Sequence, residues 1–111
     1  MHELGITRSI VAIVGEAAGG RRVLAVTLEI GKLAGVEVAA IGFCFDVVAR
    51  GTALDGARLE IQEIAGRARC RSCGGEQAVA SLVAACACGG QDLALVAGDE
   101  LKVKSMEVAD G

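Results

Sequence analysis

Four of the five cysteines lie between positions 70 and 88, and this spacing limits what the chain can fold into more than any other feature. They form two pairs, Cys70-x-x-Cys73 and Cys86-x-Cys88, separated by the twelve residues 74–85. Such a separation is close to that of zinc-ribbon sites, in which two thiolate pairs surround one tetrahedral ion. Four thiolates leave no open coordination position, so the pattern predicts a structural zinc site.

The second pair departs from the usual zinc-ribbon pattern, because one residue instead of two separates its cysteines. The shorter spacer can still chelate an ion. Each pair is followed by two glycines, small residues that let backbone N–H groups approach the sulfurs: Gly74, Gly75, Gly89 and Gly90. The alternatives are a disulfide framework, a rubredoxin-like iron site, a redox dithiol and an open binding lobe. A reducing compartment disfavours disulfides.

The residues around the cysteines do not indicate nucleic-acid binding. Arg67, Arg69 and Arg71 alternate on the approach to Cys70, but no aromatic residue accompanies them for base stacking. The net charge of −3 also argues against a protein that neutralises several phosphates. These arginines are therefore expected on the solvated face of a strand. Cys44, between two phenylalanines, is expected to be a small buried apolar residue.

The composition is that of one soluble domain, with room for a small additional lobe. The chain has 111 residues, of which 53% are apolar and only two, both phenylalanine, are aromatic. The core must therefore be aliphatic, with the marginal stability of small domains. No run of eighteen apolar residues and no basic-then-apolar leader occurs, which predicts a cytosolic protein without a membrane segment.

The first half of the chain alternates helix and strand. Apolar residues recur at helical spacing from Leu4 to Ala18, namely Ile6, Ile10, Ile13, Val14 and Ala17. Residues 23–30 then alternate, which predicts a half-buried strand with one inward face made of Leu24, Val26, Leu28 and Ile30. A second helix is expected over 36–50, with a buried stripe made of Val38, Ile41, Phe45 and Val48.

The second half predicts two more strands around the cysteine segment. Residues 57–64 form one strand, with Leu59 and Ile61 inward, and residues 100–108 form the other. The alternation of the last strand slips near Ser105-Met106, which indicates a bulge or the end of pairing. The predicted fold class is α+β: two helices on a three-stranded sheet with an inserted zinc-ribbon-like lobe. The predicted domains are 1–65 plus 99–111 for the α/β part and 66–98 for the lobe.

The only histidine, His2, stands directly after the first residue. The α-amine, the His2 amide and its Nδ1 atom can close a five- and a six-membered ring around one ion. Nickel(II) and copper(II) accept such a near-planar set of donors, whereas zinc(II) gains little from it. Glu3 could add its amide nitrogen or its carboxylate, or it could merely favour the start of a helix.

Several segments together resemble the HypA/HybF family of hydrogenase maturation nickel chaperones. They are the opening Met1-His2-Glu3-Leu4, residues 29–37, residues 43–45, the cysteine pairs and the closing residues 98–107. The resemblance covers essentially the whole chain. It implies a nickel-binding α/β domain with an inserted zinc domain, and no enzymatic activity. It also implies delivery of Ni(II) to the large subunit of [NiFe]-hydrogenase, or to urease in some relatives, together with a HypB-like GTPase partner.

The resemblance also assigns site residues. His2 becomes the essential nickel ligand with Glu3 beside it, and the zinc ligands are Cys70, Cys73, Cys86 and Cys88. Glu37 matches an acidic position near the nickel site, although a role at the helix dipole explains it more simply. The family usually has Cys-Pro-x-Cys at the second pair, so loss of one residue, with Cys86 filling the role, is the simplest explanation. The functional alternative is a zinc-ribbon interaction module without nickel transfer.

Overall fold

The computed structural model describes residues 2–110 and contains two helices and six strands in that range. In chain order the elements are α1 (Glu3–Ala18), β1 (Val23–Gly31), α2 (Val38–Val48), β2 (Arg58–Ile64), β3 (Arg67–Cys70), β4 (Glu76–Ala78), β5 (Leu93–Ala97) and β6 (Leu101–Val108). The predicted α+β class is confirmed. Neither helix in this range is long and apolar enough to cross a bilayer.

The strands form two separate three-stranded sheets. The first has the order β2-β1-β6, with β1 parallel to β2 and antiparallel to β6. The last strand therefore returns to the first two, as the sequence predicts. The second sheet has the order β4-β3-β5 and was not predicted, because strands of three to five residues carry too little alternation to detect. The domain boundaries at 65/66 and 98/99 remain a prediction.

The core lies between the helices and the first sheet. Its fully buried large side chains come from α1, β1, α2 and the loop after α2: Val14, Val23, Val26, Leu28, Ile30, Ile41, Phe45 and Leu54. The predicted stripe of α2 is confirmed, with Ile41 and Phe45 buried and its two flanking valines packed against the core. As predicted, the core contains one aromatic residue and is otherwise aliphatic.

The predicted face of α1 was partly wrong, because Ile13 and Ala17 are exposed. The helix instead turns Thr7, Val11 and Ala18 toward the core, together with the predicted Ile10 and Val14. Thr7 can be buried because its hydroxyl donates a 2.7 Å hydrogen bond to the carbonyl of Glu3 within the same helix. A polar residue therefore occupies a position that the apolar pattern assigned to the surface.

Two bulges in the pairing of β1 with β6 decide which side chains face inward. Val23 pairs with Val108 and Ala25 with Glu107, so Leu24 is the extra residue on β1. Leu24 is exposed for this reason, and its predicted inward position was wrong. The second bulge leaves Lys104 unpaired, between Val103 and Ser105. It confirms the predicted slip of alternation in the last strand.

The arginines of the second sheet are neutralised by carboxylates. Arg67 and Arg69 both pair with Glu76 on β4, and Arg71 pairs with Asp92. All of these side chains are substantially exposed, so each pair contributes little to stability. The pairs explain the alternate spacing of the arginines as a solvated strand face.

The two sheets meet at a contact between glycines. A Cβ atom at Gly31, the last residue of β1, would collide with the carbonyl of Gly98, and a Cβ atom at Gly66 would collide with Val79 and Leu33. The Leu33 N–H donates to the carbonyl of Gly98 at 2.7 Å. The turn after β1 is thereby bonded to the segment that leads from the second sheet back to the first.

Candidate metal centres

The four cysteines of the second sheet form one compact cluster. Their sulfur atoms all lie within 4.8 Å of one another, and the pairs Cys70–Cys88 and Cys73–Cys86 are each separated by 3.6 Å. A tetrahedral zinc ion with Zn–S bonds of about 2.3 Å requires sulfur separations of about 3.8 Å. Cys70 is buried and the other three are partly or fully exposed. The four cysteines therefore have the number, chemistry and spacing to hold a structural zinc.

The two cysteine loops have the same hydrogen-bond pattern despite their different spacers. In the first, the N–H of Cys70 donates to the Gly75 carbonyl and the N–H of Gly74 donates to the Cys70 carbonyl. In the second, the N–H of Cys86 donates to the Gly90 carbonyl and the N–H of Gly89 donates to the Cys86 carbonyl. The missing spacer residue therefore shortens the second loop without changing its closure. This geometry favours Cys86 as the residue that fills the family position.

Backbone N–H groups point at the sulfurs, as the glycine pairs predict. The Gly75 N–H lies 3.4 Å from Sγ of Cys73, and the Gly90 N–H lies 3.4 Å from Sγ of Cys88. Gly74 and Gly89 have φ values of 77° and 91°, in the left-handed region that other residues rarely adopt. Such turns place a donor beside one sulfur of each pair, Cys73 and Cys88, and so stabilise negative charge there before any metal arrives.

The cysteines of the cluster do not lose their protons equally easily, and Cys70 ionises more readily than Cys88. Hydrogen bonds lower the pKa of Cys70 to about 6. The largest contribution comes from the N–H of Cys73, followed by the N–H of Ser72 and the thiols of Cys88 and Cys73. Although the Gly90 N–H lowers the pKa of Cys88, the neighbouring sulfurs outweigh it and raise that pKa to about 11. Cys70 thus carries the first negative charge, which the other thiols stabilise as donors. A divalent cation replaces those protons, and its binding therefore strengthens as the pH rises.

The candidate nickel site lies at the start of α1, and no cysteine belongs to it. His2 is exposed, its imidazole makes no capping hydrogen bond, and its carbonyl accepts the first helical bond from Ile6. Within residues 2–110, neither His2 nor Glu3 is part of a cluster of three or more metal-ligating side chains. Met1, whose α-amine completes the predicted chelate, lies outside the described residues. A metal here would therefore depend on backbone nitrogens in addition to His2.

The Glu3 carboxylate has a structural partner that the sequence did not predict. Its Oε2 atom accepts a 3.0 Å hydrogen bond from the N–H of Glu37. Glu37 is the N-cap residue of α2, immediately before its first helical residue. The bond joins the first turns of the two helices and brings Glu37 to the amino terminus. Glu3 and Glu37 are 34 positions apart. The sequence contains no indication of their contact beyond the fact that each helix starts with an acidic residue.

The pKa of Glu3 should report this contact. Its hydrogen bond from the Glu37 N–H lowers the pKa of Glu3 below its ordinary value, because the bond favours the charged carboxylate. The resulting stabilisation is complete above the unfolded-state pKa and is lost as the pH falls through the lowered value. We expect an NMR titration of the Glu3 side-chain carboxyl to show this depression in the metal-free protein. In the variant Glu37→Pro, which lacks the donor, the pKa should return toward its ordinary value; an unchanged value would contradict the contact.

The remaining predicted residue, Cys44, is not part of the cysteine cluster. It is half-buried on α2, less buried than predicted, and lies outside the cluster formed by the other four cysteines. It has no neighbouring thiol with which to hold a metal in the described part of the chain. Cys44 is therefore a useful internal control for substitutions at the cluster.

The fold and the thiolate cluster define a small metal-binding protein built on two sheets. The family model described as "Hydrogenase/urease nickel incorporation, metallochaperone, hypA" matches residues 1–108. The chain therefore belongs to the HypA family, which comprises nickel metallochaperones rather than enzymes.

Individual relatives agree with this assignment over nearly the full chain. The hydrogenase maturation factor HypA of Nostoc sp. is 51% identical over 110 residues, covering 99% of this chain and 97% of the relative. The hydrogenase maturation factor HypA of Geobacter metallireducens is 53% identical over 109 residues, covering 97% of this chain and 99% of the relative. The solution structure of the nickel metallochaperone HypA from Helicobacter pylori superposes with a TM-score of 0.70 at 20% identity, covering 97% of each chain. That likeness shows the shared fold.

Proposed function

We propose that this chain binds one Ni(II) ion at its amino terminus and passes it to a protein of hydrogenase maturation. His2 is the essential side-chain ligand, and the α-amine and the amides of His2 and Glu3 supply nitrogen donors. The observation that carries this proposal is the exposed His2 imidazole, which makes no capping bond, on a helix start included in the family match. The amides before the first helical hydrogen bond have no partner within the helix, so nickel can use them without unwinding α1.

Glu3 acts in this proposal mainly through the position of its backbone. Its carboxylate is already bonded to the N–H of Glu37, and this bond holds the first turn of α1 against α2. The N–H of Glu3 also faces this carboxylate and helps to lower its pKa, so nickel takes the amide nitrogen by displacing that proton. An ordered helix start reduces the entropy that must be lost when the chelate closes, which favours binding.

The zinc-binding part of the proposal assigns Cys70, Cys73, Cys86 and Cys88 as the four ligands of one structural ion. Residues 66–98 then form a separate zinc-binding domain inserted between β2 and β6. Such a small lobe contains few large buried side chains, so metal coordination supplies much of its folding free energy.

The partners proposed for this chain are a HypB-like GTPase and the large subunit of [NiFe]-hydrogenase, both in the cytoplasm. Support comes from the family match, whose description names hydrogenase and urease nickel incorporation. The chain itself contains no phosphate-binding glycine loop followed by Lys-Ser or Lys-Thr. Any GTP hydrolysis in the transfer therefore comes from the partner.

A four-residue extension of the amino terminus tests the proposed nickel site. Adding four glycines before Met1 moves the α-amine out of the chelate and should weaken nickel binding at least about tenfold, as changes around metal ligands commonly do. A single added glycine is unsuitable, because a histidine in third position binds nickel through the new α-amine, two amides and the imidazole in a planar array. The same four glycines added after Gly111 are the matched control and should change nothing. Calorimetric nickel titration measures both. If the amino-terminal extension binds nickel as tightly as the parent, the α-amine is not a ligand, and a zinc-bearing interaction module becomes the better interpretation.

A further inference from the structure

The last strand, β6, forms one edge of the first sheet. It pairs with β1 on one side, and no strand of the described chain, residues 2–110, pairs with its other side. The backbone N–H and C=O groups along that side can therefore bond to a further strand. None of the eight residues of β6 is buried, whereas most of β1 is, so this edge is open to solvent.

Apolar side chains lie beside this edge. Ile13 on α1 is 61% exposed, and Leu101 at the start of β6 is 42% exposed. Together with Ile10 and Val103 they line a cavity of about 100 Å³ between the helix and the strand. Ile13 follows the buried Ile10 by one helical turn, so the apolar face of α1 extends past the sheet of a single copy. The edge thus has apolar surface that a further strand would cover.

The opposite edge of the sheet, β2, is protected against pairing. Glu63 stands opposite the buried Ile30, so an acidic residue lies on the face of the sheet that packs against the helices. A charge at an inward position is a common device that keeps edge strands from pairing. On the same face β6 has only apolar residues, namely Leu101, Val103, Met106 and Val108. Of the two edges, β6 is therefore the one suited to a further strand.

The bulge in β6 allows this strand to pair with a second copy of itself. Two β6 strands that run antiparallel along all eight residues set Leu101 opposite Val108 and Lys104 opposite Ser105. In a regular strand such opposite residues would point to different faces, because an odd number of positions separates them. Lys104 is the extra residue of the bulge and shifts the alternation by one position. Inward residues then meet inward residues, and outward residues meet outward residues.

The charges along β6 are complementary in this register. Lys102 of each copy stands opposite Glu107 of the other, and both side chains lie on the outward face. The ion pairs that Lys102 and Glu107 make within one copy are 3.4 and 3.7 Å long, so they hold these exposed side chains weakly. The ammonium of Lys104 donates to Oε1 of Gln62 on β2 at 3.0 Å, and so points away from the second copy. Two opposite-charge pairs across the strands favour the register.

We propose that two copies of the chain associate through their β6 strands. The association joins their first sheets, each of three strands, into one continuous sheet with the helices of both copies on the same face. The apolar cavity beside Leu101 is covered by the second copy. Because the two β6 strands run in opposite directions, the two cysteine lobes lie at opposite ends of the joined sheet. The association does not depend on nickel binding at His2.

Reversing the complementary charges tests the proposal, with sedimentation equilibrium of the full chain as the measurement. We expect the parent to form a dimer. Lys102→Glu and Glu107→Lys should each weaken the dimer at least about tenfold, because each variant turns two attractive cross-strand pairs into two repulsive ones. An equimolar mixture of the two variants should recover the dimer, since opposite charges then face each other at both positions. Changes within one copy cannot be repaired in this way.

Glu60→Lys is the matched control. It makes the same change of charge on the outward face of β2, and Glu60 is exposed like the two test residues. This variant should dimerise like the parent, and equal zinc content and circular dichroism should show that all variants are folded. A parent that stays monomeric at its highest soluble concentration overturns the proposal. A dimer that neither reversal weakens, or reversed variants that remain monomeric when mixed, also overturns it.

Discussion

Substituting His2 by alanine is expected to abolish stoichiometric nickel binding while the fold and the zinc content stay unchanged. The imidazole is the only histidine side chain available, and its loss removes both a donor and the six-membered chelate ring. His2 is exposed and contributes no capping bond, so the helix loses nothing when the side chain is removed. Affinity should fall by more than about a hundredfold, because loss of a ligand costs more than the ten- to hundredfold typical of residues that only orient one.

The measurement is a nickel titration followed by calorimetry and visible absorption, with protein whose chain begins at Met1. The absence of Trp and Tyr keeps the near-ultraviolet background low, although thiolates still absorb there. Glu16→Ala, an exposed substitution at the other end of α1, is the control and should bind nickel like the parent. Equal nickel binding by parent and His2→Ala would show that the metal binds elsewhere, with the cysteine cluster as the first place to look.

The second large effect is expected for Cys73→Ser, which should remove bound zinc and unfold the cysteine lobe. Coordination of structural zinc contributes about 10–16 kcal/mol in small zinc domains, as much as the roughly 5–15 kcal/mol total stability of a typical domain. A serine hydroxyl is a poor replacement for a thiolate. The remaining three cysteines also lose the backbone-bonded sulfur that Cys73 contributes, at 3.4 Å from the Gly75 N–H.

Cys44→Ser is the matched control, because it makes the same chemical change outside the cluster. Zinc content by elemental analysis should fall from about one ion per chain to near zero in Cys73→Ser and stay near one in Cys44→Ser. Hydrogen exchange should become fast in β3, β4 and β5, while β1 in the first sheet keeps its protection. Full zinc content in Cys73→Ser would show that Cys73 is not a ligand. Simultaneous loss of protection in both sheets would contradict the proposed domain boundaries at 65/66 and 98/99.

The order of the main elements was predictable because periodicity is a local property. Val26, Leu28 and Ile30 on β1, and Ile41 and Phe45 on α2, repeat at the spacing of one buried face and are buried as expected. Ile13 and Leu24 were wrongly placed inward, each for a tertiary reason. The orientation of α1 on the sheet exposes Ile13, and a bulge against β6 exposes Leu24. Neither the orientation nor the bulge on β1 leaves a mark in the alternation of residues.

The two candidate sites differ in how much of each could be predicted. The cysteine cluster was identifiable from spacing, since a thiolate pair and its following glycines lie on one short loop. The structure added that both loops close through the same hydrogen bonds, so the shorter spacer does not disrupt the cluster. For the candidate nickel site, the sequence proposed only His2 and Glu3. The bond from the Glu37 N–H to the Glu3 carboxylate was not predictable, because it joins separate helices.

The sequence by itself determined the element types, the aliphatic core, the four-thiolate cluster and, through resemblance, the family. Each of these depends on residues that are close in the chain or on a pattern that extends along it. Only the tertiary structure decided the strand order, the glycine contact between the sheets, the capping of α2 by Glu3 and the exposure of Phe43. These features depend on how distant segments pack against one another, and short-range periodicity and spacing carry no information about that packing.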